Sequence, residues 1–149
     1  GFITVVASTQ IGTATGMLGG TVVVQTLIPD LRPENLAALV IIGGSGAPRF
    51  LYDSKPLREL ILKLNRLQRP IGAICLSPAV LANAGILKDR QATVYKDPAA
   101  LKLLKEGGAT IRSQDCLTDG LIVTANGPSA AEAFSQAILA LLKTAEATY

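Results

Sequence analysis

Residues 39–42, 71–74 and 121–124 are apolar runs of strand length that each stop at a turn, and helical stretches separate them. A strand apolar on both sides of its pleat is covered on both faces, the place parallel strands occupy in an α/β sheet. Between the first two runs, Leu57, Leu60, Ile61, Leu64 and Leu67 line one side of a helix, with Arg58, Glu59, Lys63 and Arg66 mostly away from it. Residues 98–106 predict another helix, stopped by Gly107-Gly108. A last helix is predicted from Ser129, where Glu132 completes a capping-box pattern. Its buried stripe is Ala133, Phe134, Ala137, Ile138, Leu141 and Leu142. Shorter strands are predicted over 3–7, 21–25, 92–95 and 110–112, with a turn at 16–20. Strands alternating with such helices predict a doubly wound α/β sandwich, its sheet mostly parallel and flanked by helices. No repeat, low-complexity tract or linker divides residues 1–149, so a single domain is expected.

The second run ends at Cys75, and Pro78 follows three residues later, opening a helix that Gly85 closes. The pattern reads strand, sharp turn, helix, with Cys75 at the corner. A thiol there faces unpaired backbone N–H groups and the positive end of a helix dipole. Both favour the thiolate, which is the nucleophile. The competing reading of Cys75 is a small buried hydrophobe.

Two counts exclude whole classes of chemistry. The chain has no histidine, so neither a Cys-His pair nor a Ser-His-Asp triad can form within it. With two cysteines and no histidine, a structural zinc site lacks ligands, and no acidic cluster suggests a hard cation. No metal and no cofactor are therefore expected. Cys75 and Cys116 lie outside any Cys-x-x-Cys motif and read as reduced thiols. The net charge of +3 comes from 14 basic and 11 acidic residues scattered along the chain, which is no nucleic-acid footprint. No apolar stretch approaches the ~18 residues of a membrane span. The opening residues 1–4 lack the basic start of a signal peptide. The cytoplasm is the expected location.

Ligands of such sheets bind beyond the carboxyl ends of the strands. Three turns lie there: Gly43-Gly44-Ser45-Gly46, Cys75-Leu76 and Thr124-Ala125-Asn126-Gly127-Pro128. Glycines at 43 and 44 let backbone N–H groups point into the crevice, as an oxyanion site requires. Ordinary turn glycines are the alternative. The glycine spacing fits neither a dinucleotide fingerprint nor a phosphate loop. Cys116 reads as part of a polar loop, Tyr95 and Asp97 as solvated loop residues, Arg49 as a surface arginine, and Asn126 as a turn former.

Residues 73–78 (Ala73 to Pro78), followed by 81–88 and 92–95, resemble the nucleophile-elbow region of the ThiJ/PfpI superfamily, which includes the parkinsonism-associated deglycase and archaeal intracellular proteases. Residues 6–9, 16–20, 39–44 and 119–128 are similar to its other signatures, in order and spacing. The resemblance covers essentially the whole chain. It implies a flavodoxin-like fold, Cys75 as nucleophile, and oxyanion donors from Gly43, Gly44 and the N–H of Leu76. It also implies homodimers or higher homo-oligomers, and activity on reactive α-oxoaldehydes, peptides or redox signals.

The chain departs from that pattern at three places. Leu76 stands where protease-like members carry histidine, which makes a peptidase the least favoured activity. The resemblance also implies a leading interior strand and helix, and a glutamate beside the cysteine, ahead of the segment that opens this sequence. The natural polypeptide is thus expected to have one strand and one helix more, roughly 30 residues. Ser77 replaces a frequent glycine and is expected to cap the Pro78 helix. Two readings of function follow. One is an enzyme whose Cys75 thiolate adds to small reactive carbonyls. The other is a redox-sensing or chaperone-like stress protein that works through Cys75 oxidation.

Overall fold

A computed structural model describes residues 1–147. The chain runs β1 (Ala7–Ser8), β2 (Gly12–Thr15), β3 (Thr21–Val24), β4 (Thr26–Leu27), β5 (Leu39–Ile41), α1 (Ala47–Phe50), α2 (Lys55–Arg66), β6 (Ile71–Ile74) and α3 (Pro78–Asn83). It continues through β7 (Gln91–Ala92), α4 (Pro98–Glu106), β8 (Thr110–Ile111), β9 (Cys116–Asp119), β10 (Ile122–Ala125) and α5 (Ala131–Glu146). The central sheet has the order β5-β6-β10-β9. Its β5–β6 and β6–β10 ladders are parallel, and β9 joins β10 antiparallel.

Helices cover both faces. Ile71, Ala73 and Ile122 point into a core shared with Leu57, Leu60, Ile61 and Leu64 of α2 and with Ala79–Ala82 of α3. Ile74, Val123 and Ala125 point the other way, against Phe134, Ile138 and Leu142 of α5. This is the alternation of a doubly covered strand. Gly72 marks how closely α5 is seated: a Cβ there would lie 2.5 Å from Ile138 Cδ1 and 2.9 Å from Phe134 Cζ. The doubly wound α/β architecture is the one expected from the alternating elements.

Several local expectations are corrected. Of the run 3–7, only Ala7 joins a ladder, pairing with Thr26; Ile3 is 94% exposed. Thus β1 and β4 form a two-stranded ribbon outside the central sheet, and among the described residues β5 pairs with β6 alone. Leu67, placed on the apolar side of α2, is its exposed C-cap. Ala133 is exposed, and no side chain caps α5, which enters through a 3-10 turn over Pro128–Ala130. The capping box at Ser129 therefore does not form. Cys116 is not in a loop but opens β9, opposite Ala125. A polar edge strand keeps no apolar periodicity of its own to announce it.

Candidate active site

The Cys75 corner is built by two tightly packed turns. Cys75 has φ +64°, left-handed backbone that costs a non-glycine residue about 1–2 kcal/mol and persists only where neighbours hold it. They do. Cys75 N donates to Ala125 O of β10 at 2.9 Å, Tyr95 N donates to Cys75 O at 2.9 Å, and Ser77 N donates to Ile74 O at 3.1 Å. The wholly buried Ser77 hydroxyl donates to Ile42 O at 2.8 Å. It does not cap α3, correcting the expectation for Ser77. Its role is to tie the corner to the end of β5.

The glycine turn after β5 lies directly against this corner. A Cβ on Gly43 would sit 2.6 Å from Cys75 Cβ, 2.7 Å from Ile74 O and 3.1 Å from Leu76 N. Only glycine admits that approach. Gly44 has φ +103°, again a glycine conformation. Among the described residues, the backbone N–H groups of Gly43, Gly44 and Leu76 donate to no acceptor in the chain. Unpaired N–H groups beside a thiol are a ready receptor for a negative oxygen. The structure thus brings Gly43, Gly44, Cys75 and Leu76 together. Cys75 is half-buried, and no side chain among the described residues hydrogen-bonds its sulfur.

The segment after β7 closes one side. Tyr95, half-exposed, contributes with Lys96, Asn126 and Ser129 to a cleft of about 370 Å³. Asn126 shapes the turn as expected: its amide Nδ2 donates to Asp115 Oδ1 and its backbone N to Asp115 O, both at 3.0 Å. Asp97 does more than face solvent, because its carboxylate accepts from Ala100 N at 2.9 Å and caps α4. Asp-Pro immediately before a helix is a legible signal for that role. Arg49 rests over the Phe50 ring, 5.0 Å from its centroid.

Sequence reasoning missed Tyr52, a buried aromatic between α1 and α2 whose hydroxyl donates to Leu76 O at 2.9 Å. Burial, then the charges of Asp97 and Cys75, push its phenol up to about 12. Nothing in the local pattern separates such a tyrosine from any other core aromatic.

Cys116 lies across β10 from the corner, since Ala125 pairs with Ile74 on one side and Cys116 on the other. Two strand spacings make about 10 Å, too far for a disulfide without backbone movement. Burial raises the Cys116 thiol above its usual range, partly opposed by a hydrogen bond from the Leu117 backbone. No helix among the described residues is long and apolar enough to cross a membrane.

The chain is similar in sequence and fold to known proteins. The chain is 40% identical over 134 residues to an uncharacterised protein of Methanocaldococcus jannaschii, matching 90% of this chain and 65% of that one, just under two thirds of its length. It is 30% identical over 138 residues to a Pyrococcus abyssi protein named a deglycase, covering 93% of this chain and 81% of that one. A crystal structure of a ThiJ/PfpI domain protein from Brachyspira murdochii superposes with a TM-score of 0.89 at 31% identity, over 94% of this chain and 79% of that one. The sequence profile of the DJ-1/PfpI family matches residues 1–141, and the chain belongs to that family.

Proposed function

We propose that the protein is a cysteine-dependent enzyme of the glyoxalase or deglycase type, acting on small reactive carbonyls through Cys75. The observation that carries this reading is the set of unpaired N–H groups of Gly43, Gly44 and Leu76 around a left-handed cysteine corner. The Cys75 thiolate attacks the aldehyde carbon of an α-oxoaldehyde or its adduct. A C–S bond forms, and the carbonyl π pair moves to oxygen. That oxyanion accepts hydrogen bonds from the free N–H groups, and solvent water, which reaches the half-buried Cys75, returns a proton to give the hemithioacetal. The deglycase name of the Pyrococcus abyssi relative agrees with this substrate class. Two free thiols too far apart to bridge suit a reducing compartment such as the cytoplasm.

One observation favours a second reading, a redox sensor that records peroxide as Cys75 sulfenic or sulfinic acid. Cys75 is half-buried at an open turn, and among the described residues no side chain hydrogen-bonds its sulfur, so peroxide can reach it. Methylglyoxal consumption by the wild type and by Cys75→Ser separates the two. The enzyme reading expects a loss on the order of 10³-fold or more in the variant. A wild type that consumes no methylglyoxal, yet gains oxygen at Cys75 under mild peroxide, would replace it with the sensor.

A further inference from the structure

We propose that Tyr52 is a positioning residue of the Cys75 corner: its hydroxyl holds the Leu76 carbonyl and so keeps the free N–H of Leu76 set beside the thiol. The proposal rests on the carbonyl chemistry assigned to that site.

A left-handed Cys75 relaxes by rotating the peptides that follow it, unless each is fastened. Cys75 N and O are fastened to Ala125 and Tyr95, and Ser77 to Ile74 and Ile42. Among the described residues, the Leu76 carbonyl accepts, besides the Tyr52 hydroxyl, only a long 3.3 Å bond from Ala79 N within its own turn. Among the described residues, the tyrosine hydroxyl is therefore the one side chain that holds this peptide, whose N–H end is tied back within the turn by Ser77 N to Ile74 O at 3.1 Å. Tyr52 is itself clamped, because Asn83 Nδ2 at the end of α3 donates to Tyr52 O at 3.0 Å and Tyr52 N donates to Ala47 O at 3.1 Å. Phenol, α3 and the corner form one braced unit. Releasing the Leu76 carbonyl leaves the Leu76–Ser77 peptide held by bonds within its own turn, and the neighbouring Cys75–Leu76 peptide, which carries the Leu76 N–H, loses the brace on its far side and keeps the Tyr95 bond.

The test is Tyr52→Phe, which keeps the buried ring and removes only the hydroxyl, made in a Cys116→Ser background so that one thiol reports. Iodoacetamide alkylation of Cys75 discriminates by its sign. Mere loosening exposes a half-buried thiol and speeds alkylation. Lost positioning of the donor beside the sulfur slows it, by about fivefold. In turnover of methylglyoxal, kcat falls about tenfold with KM held, as for an interaction made in the transition state. Asn83→Ala, which frees the Tyr52 backbone but keeps the hydroxyl, slows alkylation less and covers the case of a Phe variant that fails to fold. Unchanged or faster alkylation in both variants overturns the proposal. Slower alkylation in a protein whose wild type never consumes methylglyoxal upholds the brace and refutes the carbonyl activity instead.

Discussion

At the residue scale the site depends on a glycine that touches a cysteine. A methyl on Gly43 meets Cys75 Cβ and Ile74 O, atoms that no rotamer change can move aside. Gly43→Ala is expected to lower stability by about 2–3 kcal/mol, in the upper range for overpacking, and to cut Cys75 alkylation sharply. A thermal melt and an alkylation time course check both. The two cysteines should also differ. Burial holds the Cys116 thiol protonated at neutral pH, so its alkylation is slow there and climbs only above the ordinary thiol range. Mass-resolved alkylation from pH 6 to pH 10 measures this, and equal rates at Cys75 and Cys116 near neutrality would contradict it. Tyr52 adds an alkaline signature. Its phenol ionises near 10 in the unfolded chain and near 12 in the folded one. The stability this difference contributes is complete below pH 10 and is lost as pH rises through 12. Tyr52→Phe should flatten the fall in melting temperature across that window.

At the element scale, what was legible in the sequence is what local chemistry decides. Strand β6 and helix α4 fall where the apolar run, Asp97, Pro98 and Gly107 place them, because their start and stop signals lie within a few residues. The β-branched run 3–7 shows the limit. Its residues have strand propensity, but a ladder needs a partner, and of the run only Ala7 finds one in β4, with Ser8 after it. Strand β9 fails for the converse reason: it is specified by pairing with β10, not by its own polar residues. The same holds at the site. The Cys75 corner and the two glycines were legible because tight turns demand particular residues. The ties made by Ser77 and Tyr52 were not, since they join positions 35 and 24 residues apart. Ser77→Ala leaves the Ile42 carbonyl without this buried donor and is expected to cost about 1–3 kcal/mol, read in a denaturation curve. No measurable change would mean that the β5 end and the corner are held together by packing alone.

At the scale of the whole molecule, the central sheet presents β5 with one ladder, and Val40 and Ile42 beside it are 44% and 66% exposed. An unpaired strand edge flanked by exposed aliphatic side chains is a template for another strand. If a second copy of the chain takes that place, association rises with concentration and Val40→Lys shifts sedimentation toward the monomer; sedimentation that does not change with concentration assigns the place to another segment. The ThiJ/PfpI resemblance also implies homo-oligomers, and the same sedimentation series gives their size. The site lies at the carboxyl ends of β5 and of β6, where the 43–44 turn meets the Cys75 corner and β10 and the 95–97 segment support the corner from the other side.

The central claim is that a carbonyl oxygen bound at Cys75 is received by backbone N–H groups. A crystal structure of the protein after brief exposure to methylglyoxal tests it most directly. The account predicts a C–S bond at Cys75, with the former carbonyl oxygen about 2.7–3.1 Å from Leu76 N and from a glycine N of the 43–44 turn. An adduct on Cys116 alone, or one at Cys75 whose oxygen points to solvent, would contradict it.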